Sequence, residues 1–379
     1  MSYLRLLRTA AILILSVLPA QALAVEFVTV GPRAMGMGGA GVAVTTDSLA
    51  TYWNPAGLAM TQTVDIRILG GAQVIDRLGI ADAVHDLEKF NPNDPNTAAN
   101  LAKAQDIANR INRPGATVSL NGSAGLYIKG HLGEHAFGLN VSDVATGGGF
   151  VSTPITATQN GSNVSLAGAM ALRGLEARQV AFSYAHAFAD KTFSFGVTGK
   201  IIQGAAYSGS TTLTGGTDVS VTDNFGKSTL STAFGIDMGA IYRPSSWLRF
   251  GVVAKDINQP TFNAPGGGEL KLGPQVRGGV AVNPYSSLTV TADVDATANK
   301  TFVPGVKSQV LSLGAEQTVL SEFLSFRLGA FKNMKDANTP FTPTAGLGLR
   351  IFAFRMDVGG GYDFREKGAL GSLSLSLTF

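Results

Sequence analysis

From residue 64 to the end of the chain, apolar side chains fall on every second position in one short run after another. The C-terminus is the clearest sample: Leu373, Leu375, Leu377 and Phe379 alternate with Ser374, Ser376 and Thr378. A period of two places the two sets on opposite faces of a strand. Just upstream, Phe354, Met356, Val358, Tyr362 and Phe364 share one face, and Arg355, Asp357, Asp363 and Arg365 take the other. The same reading pairs Leu347 and Leu349 with Arg350, Phe326 and Leu328 with Arg327, Leu313 and Ala315 with Glu316, and Val290 and Ala292 with Asp293 and Asp295. It continues toward the N-terminus with Val280 against Arg277, Phe250 and Val252 against Arg249 and Lys255, Met238 against Asp237, and Phe195 and Val197 against Lys200. Earlier rows hold Val180 and Phe182, Phe137 and Leu139, Leu126 and Ile128 beside Lys129, and Ile66 and Ile68 beside Asp65 and Arg67. In all, fourteen strands are predicted.

Short links alternate with long ones, the latter near residues 76–115, 145–177, 207–230, 257–273, 297–308 and 335–343. An even number of alternating strands, with short turns at one end and long loops at the other, predicts an all-β, antiparallel transmembrane barrel of about fourteen strands. Both chain ends then lie on the periplasmic side. A soluble sandwich also alternates, but strands of this length with such regular loops suit it less well. In hydrocarbon the closed barrel is the strand arrangement that pairs every backbone group. The barrel is expected over residues 63–379.

One segment departs from the period of two. Residues 82–113 read as two short helices in the first outward loop, the second capped at Asn96 or Thr97 and striped by Leu101, Ala104, Ala108 and Ile111. It is either a packed cap on the barrel mouth or a lid that admits a ligand.

Residues 1–24 carry Arg5 and Arg8, an apolar run and Ala22-Leu23-Ala24, the pattern of a secretory leader cut near Ala24. Removing those two arginines lowers the formal charge from +3 to +1 (3 − 2), so the basic pI is partly the leader's. The chain has no cysteine. A near-neutral, cysteine-free chain gives no support for nucleic acid binding, a thiolate metal site or a disulfide scaffold. No cofactor and no metal are expected.

Gly36, Gly38 and Gly41 stand in the spacing G-x-G-x-x-G. A dinucleotide loop needs a long helix after it and further βαβ units, and neither follows. Residues 25–62 must instead be accommodated by a barrel too wide for its own side chains to fill. They are predicted to fold back as a hatch, with Gly36, Gly38, Gly39 and Gly41 as its turning or hinge positions. Asn54, Pro55 and Gly57 fit a type I turn, and Trp53 is an anchor in front of it. His131 to His135 matches H-x-x-E-H, but Gly130 and Gly133 make it a hairpin turn rather than a zinc helix. Ser183 and His186 point to opposite faces, so no catalytic set is found and no enzyme is expected.

The strand charges Arg67, Lys200, Arg249, Arg277, Asp293, Glu316, Arg327, Arg350, Arg355 and Asp357 are predicted to line the lumen. They either pair with one another and the hatch or form a selectivity lining. Gly359, Gly360 and Gly361 are expected to bend the wall, with a side opening there.

The run "RAMGMGGAGVAV…LATYWNPAGLA", followed by an alternating barrel and a terminal Phe, resembles the FadL-like outer-membrane superfamily. Within it the chain is most similar to the conjugal transfer TraF-like and PorV-type barrel proteins. That resemblance implies a fourteen-stranded barrel with an N-terminal hatch in the bacterial outer membrane. It implies passive passage of fatty acids or other hydrophobic small molecules, or instead a non-transport role in conjugal transfer or secretion. Phe379 would then be read by the barrel assembly machinery, and the partners are that machinery, the lipid bilayer and a hydrophobic ligand. The helical pair lies in the first outward loop and the third loop is polar, and both features depart from the fatty-acid transporters.

Overall fold

In the computed structural model, fourteen strands close into a single antiparallel barrel. The structure describes residues 27–218, 228–336, 340–365 and 367–379. The expected leader with its cut near Ala24, and part of the third outward loop, lie outside these residues. The strands are β1 (Asp65–Arg77), β2 (Thr117–Leu132), β3 (His135–Asn160), β4 (Asn163–Phe188), β5 (Phe193–Thr214), β6 (Thr229–Ser245) and β7 (Leu248–Lys255). They continue as β8 (Gln275–Tyr285), β9 (Leu288–Asp295), β10 (Val310–Val319), β11 (Leu324–Asn333), β12 (Thr342–Ile351), β13 (Phe354–Asp363) and β14 (Gly368–Thr378). β1 closes on β14 with Asp65 opposite Thr378. Just before it, Val64 and Phe379 exchange backbone hydrogen bonds of 3.0 and 2.9 Å, so the last residue seals the seam.

The burial pattern is inverted relative to a soluble protein. Phe182 is 56% exposed while its neighbour Ser183 is fully buried. Likewise Val290, Leu313 and Leu328 face outward while Asp293, Glu316 and Arg327 are buried. A sandwich would bury its apolar rows. An exposed apolar row around a buried charged one fits a wall with hydrocarbon outside, where a charge near mid-bilayer costs roughly 2–4 kcal/mol. Near the short-turn rim Phe193 and Tyr242 stack with ring centroids 4.7 Å apart, part of an aromatic girdle. No helix among the described residues is long and apolar enough to cross a membrane.

Three in-strand prolines lie where the ladder slips. Pro154, Pro244 and Pro284 fall within register shifts of β3, β6 and β8. A proline removes one ladder donor, so a bulge is where it fits.

The structure corrects the expected loop at 145–177. β3 and β4 run on as paired strands to Asn160 and from Asn163, forming a hairpin that projects beyond the barrel mouth. Beyond Phe150, β3 has no ladder partner on its β2 side. Part of that edge is covered by Asn112, whose side chain donates to the Ile155 carbonyl at 2.7 Å and accepts from its N–H at 2.8 Å. An amide side chain here takes the place of a neighbouring strand.

The first outward loop contains α3 (Ile80–Glu88) and α4 (Thr97–Ile111), preceded in the chain by two short helical turns, α1 (Pro32–Gly36) and α2 (Ala50–Trp53). The Asn96 side chain caps α4 through the Ala99 N–H at 3.3 Å. Ala104, Ile107, Ala108 and Ile111 of α4 pack with Ile80, Ala83 and Leu87 of α3 onto Val164, Leu166 and Met170 of β4.

Candidate functional site

Residues 27–62 occupy the lumen, and their fit to the wall is set by glycines on both sides. Gly38 and Gly39 have φ of +67° and +82°, which a side chain rarely adopts. A Cβ on Gly38 would lie 2.4 Å from the Ala330 carbonyl oxygen, and one on Gly36 would lie 3.0 Å from Gly346. The wall answers with glycines on its inward face: a Cβ on Gly329 would be 2.3 Å from the Gly38 nitrogen, and one on Gly251 2.7 Å from the Val42 carbonyl. Gly138, Gly196, Gly239, Gly314 and Gly359 are pressed against the plug in the same way. These wall glycines escaped the sequence reading. The available signal was that they fall on the polar parity of their strands.

The turn at Asn54 is fixed to both the plug and the wall. Gly57 N–H bonds the Asn54 carbonyl at 2.9 Å, and Pro55–Met60 continues as a 3-10 turn. The Asn54 amide donates to Val42 at 3.1 Å and to Ala240 of the wall at 3.3 Å. A Cβ on Gly57 would lie 2.1 Å from the Thr45 carbonyl. Trp53 is fully buried and donates to the Val30 carbonyl at 2.8 Å, with its ring 5.3 Å from that of Phe27.

A continuous chain of ion pairs ties plug to wall. Arg33 of the plug meets Glu316 at 2.6 Å, Glu316 meets Arg327 at 2.6 Å, and Arg327 meets Asp357 at 2.8 Å. Asp357 then contacts Arg67 at 3.3 Å, and Arg67 reaches Asp47 of the plug at 3.0 Å. Burial works against the Arg33 cation, but Glu316 outweighs it and holds the guanidinium above its ordinary pKa. Asp293 accepts from the Gly41 and Val42 N–H groups at 2.7 and 2.8 Å. Arg277 pairs with Asp295 at 2.6 Å and lies over the Phe27 ring, 4.1 Å from its centroid. Lys255 stands 3.3 Å above the Tyr52 ring.

The sequence-read lumen residues therefore divide. Arg67, Arg277, Asp293 and Glu316 are buried and bonded to plug residues, while Arg327 and Asp357 are buried between wall partners of the same network. Lys200 is buried in the wall with Asp237 and Asp256 at 2.9 and 2.8 Å. Arg249 donates to the Ala43 carbonyl at 3.2 Å. Arg350 does not line the lumen: it sits at the short-turn rim against Glu322 at 2.5 Å, where water reaches it. Arg355 is half-buried beside Asp357 at 3.0 Å. The charges are of mixed sign and largely paired, which is the arrangement of an anchored plug rather than of a one-sign ion filter.

Gly359 to Gly361 do not open the wall. Both ladders through them are unbroken, and a Cβ on Gly359 would lie 2.1 Å from the Pro32 carbonyl of the plug. Space lies elsewhere. A cavity of about 670 Å³ lies between α3 and the outward face of β2 to β5. Its walls are Val84, Val118, Leu120, Met170 and Leu172, and its back is Gly147, Gly148 and Gly149 of β3 with Gly122 and Gly174 beside them. Behind Gly148 the segment between β9 and β10 presses from the lumen side, with Val303 Cγ2 2.7 Å from a Cβ placed there. A second cavity of about 470 Å³ lies in the outer lumen above the plug, bounded by Phe27, Gly38, Arg77, Arg277, Lys332 and Asp363. In the loop over the mouth, Asp86 bonded to Arg110 holds that guanidinium above its ordinary pKa. Lys367 holds the Asp82 carboxyl below its own.

A family model described as "F plasmid transfer operon, TraF, protein" matches residues 51–295. No curated protein matches the chain in sequence. Among solved structures, a mutant of the monoaromatic hydrocarbon channel TodX is 12% identical with a TM-score of 0.55, covering 92% of this chain and 98% of its own. The toluene transporter TbuX of Ralstonia pickettii is 16% identical, with a TM-score of 0.53 and coverage of 92% and 97%. The monoaromatic hydrocarbon channel CymD is 15% identical, with a TM-score of 0.50 and coverage of 94% and 98%. At these identities the likeness is one of fold: this chain shares the barrel of those channels.

Proposed function

The chain belongs to this TraF family, and we propose that it is an outer-membrane channel through which small apolar molecules pass without an energy source. One observation carries the reading: an apolar cavity of about 670 Å³ at the outer end of the wall, backed by a patch of glycines one strand thick. Transfer of apolar surface from water into such a cavity is favourable by roughly 25 cal/mol per Å². The glycine backing leaves no side chain to push aside, so the barrier to the lumen is the ladder itself and the Val303 segment behind it. The channels of the same fold named for toluene and monoaromatic hydrocarbons support this reading. Onward movement requires the Val303 segment or the plug to shift, with Gly36 to Gly41 as the hinge positions.

Cell uptake of radiolabelled toluene tests it. Cells carrying the protein are expected to take up the label faster than cells without it, and Leu172→Trp, which fills the cavity, to remove the gain. Equal uptake in all three would contradict the reading.

The family description names a plasmid transfer operon, which favours a second role in conjugal transfer; the alternative is then an assembly or surface component of a transfer or secretion system with the lumen permanently shut. Under it, deletion would impair transfer or secretion while Leu172→Trp left both untouched.

A further inference from the structure

Resting on the reading of the outer cavity as a binding site, we propose that it selects apolar molecules by charge. It holds those bearing an ammonium head and rejects those bearing a carboxylate. The lining contains two carboxylates, Glu88 and Glu176, and no lysine or arginine. Glu88 ends α3 and Glu176 stands on the outward row of β4, so the acids come from two separate elements at the edge of one apolar volume.

Around Glu176 the balance stays acidic when Arg178 and Asp143 are included. Glu176 accepts from the Tyr207 hydroxyl at 3.0 Å and pairs with Arg178 at 2.6 Å. Arg178 lies outside the lining and is also 3.6 Å from Asp143. Asp143, Glu176 and Arg178 together carry one net negative charge (1 − 2), and Glu88 places a second carboxylate at the other edge of the cavity. His85 stands 3.6 Å from Glu88. Aliphatic walls lower the local dielectric, so these charges act on a bound head group more strongly than they would in open water. The strand N–H groups behind the cavity are engaged in the β2–β3 and β3–β4 ladders, which leaves a carboxylate no backbone donors there. An alkyl chain can lie along Leu120, Met170 and Leu172 with its ammonium toward Glu88 and Glu176 and still in contact with water. The lumen vestibule has the opposite balance, with Arg77, Lys307, Lys332 and Lys335 against Asp336 and Asp363. The two spaces therefore differ in charge preference.

Equilibrium dialysis of labelled decylamine, decanol and decanoate tests the proposal. The full-length protein is held in zwitterionic nanodiscs at neutral pH, with empty discs subtracted. Decylamine is expected to bind about tenfold more tightly than decanoate, with decanol between them. Glu88→Gln combined with Glu176→Gln should collapse that ratio to about twofold or less, and Leu172→Trp should weaken all three compounds. If the double variant does not assemble, Glu88→Gln alone, on the accessible face of α3, should lower the ratio by roughly threefold. Decanoate binding as tightly as decylamine, or a ratio that survives the substitutions, would overturn the proposal. Retention of none of the three above empty discs would overturn the cavity reading itself, and the proposal with it.

Discussion

Gly41 lies so close to the Trp53 ring that an added Cβ would be 2.5 Å from Cδ2. Gly41→Val is therefore expected to destabilise the folded barrel by roughly 1–3 kcal/mol through overpacking. The check is the temperature at which the compact gel band of the barrel converts to the unfolded mobility, and an unchanged temperature would show that Gly41 and Trp53 do not pack together inside the plug. Arg327 bridges Glu316 and Asp357 deep in the lumen. Removing one partner of a buried network costs roughly 3–5 kcal/mol, and Arg327→Met should fall at the low end because Arg33 and Arg67 still face those carboxylates. Much at this scale was readable in the sequence: the glycines of the head, Asn54 and Trp53 stood out by spacing and type. The inward wall glycines did not, because a period-two reading treats glycine as neutral on either face.

Strands are where the sequence spoke most clearly, and only where lipid selects one of their faces. β9 has Val290 outward and Asp293 inward. Val290→Arg is expected to prevent membrane assembly, at roughly 2–4 kcal/mol for a charge near mid-bilayer. Asp293→Ala should assemble and lose only the acceptor for Gly41 and Val42. Membrane fractionation decides this, and equal outcomes would refute the face assignment. The outer halves of β3 and β4 are not read as strands because the apolar row Val164, Leu166, Met170 and Leu172 of β4 is interrupted by Gly168 and flanked by alanines, and it faces the helical pair rather than lipid. The Thr, Ser and Gln residues of outer β3 carry strand pairing without an alternating signature. The helical pair was legible from its caps and stripe, although Ile107, buried in the same face, went unmarked.

At the scale of the molecule, closure was legible and the cavity was not. An even set of alternating strands forces a barrel, because hydrocarbon leaves no other way to pair the edges. The cavity draws its walls from α3 and four successive strands spread over residues 80–211, and none of its residues is of an unusual type. Only the fold brings them together. The same holds for the ion-pair chain from Arg33 to Asp47, whose members were individually foreseen as inward but whose order depends on where the plug lies. The central claim is a wall with lipid outside and a seated plug inside. The chain's lack of cysteine allows it to be tested with single nitroxide labels at each position of β9, Leu288 to Asp295, in reconstituted bilayers. Labels at Val290, Ala292 and Val294 should respond to dissolved oxygen and not to a soluble nickel chelate, while labels at Thr291 and Asp293 should be immobile and shielded from both. Free access of the nickel chelate to Thr291 and Asp293 would show an unplugged lumen, and a response without alternation would rule out the barrel wall.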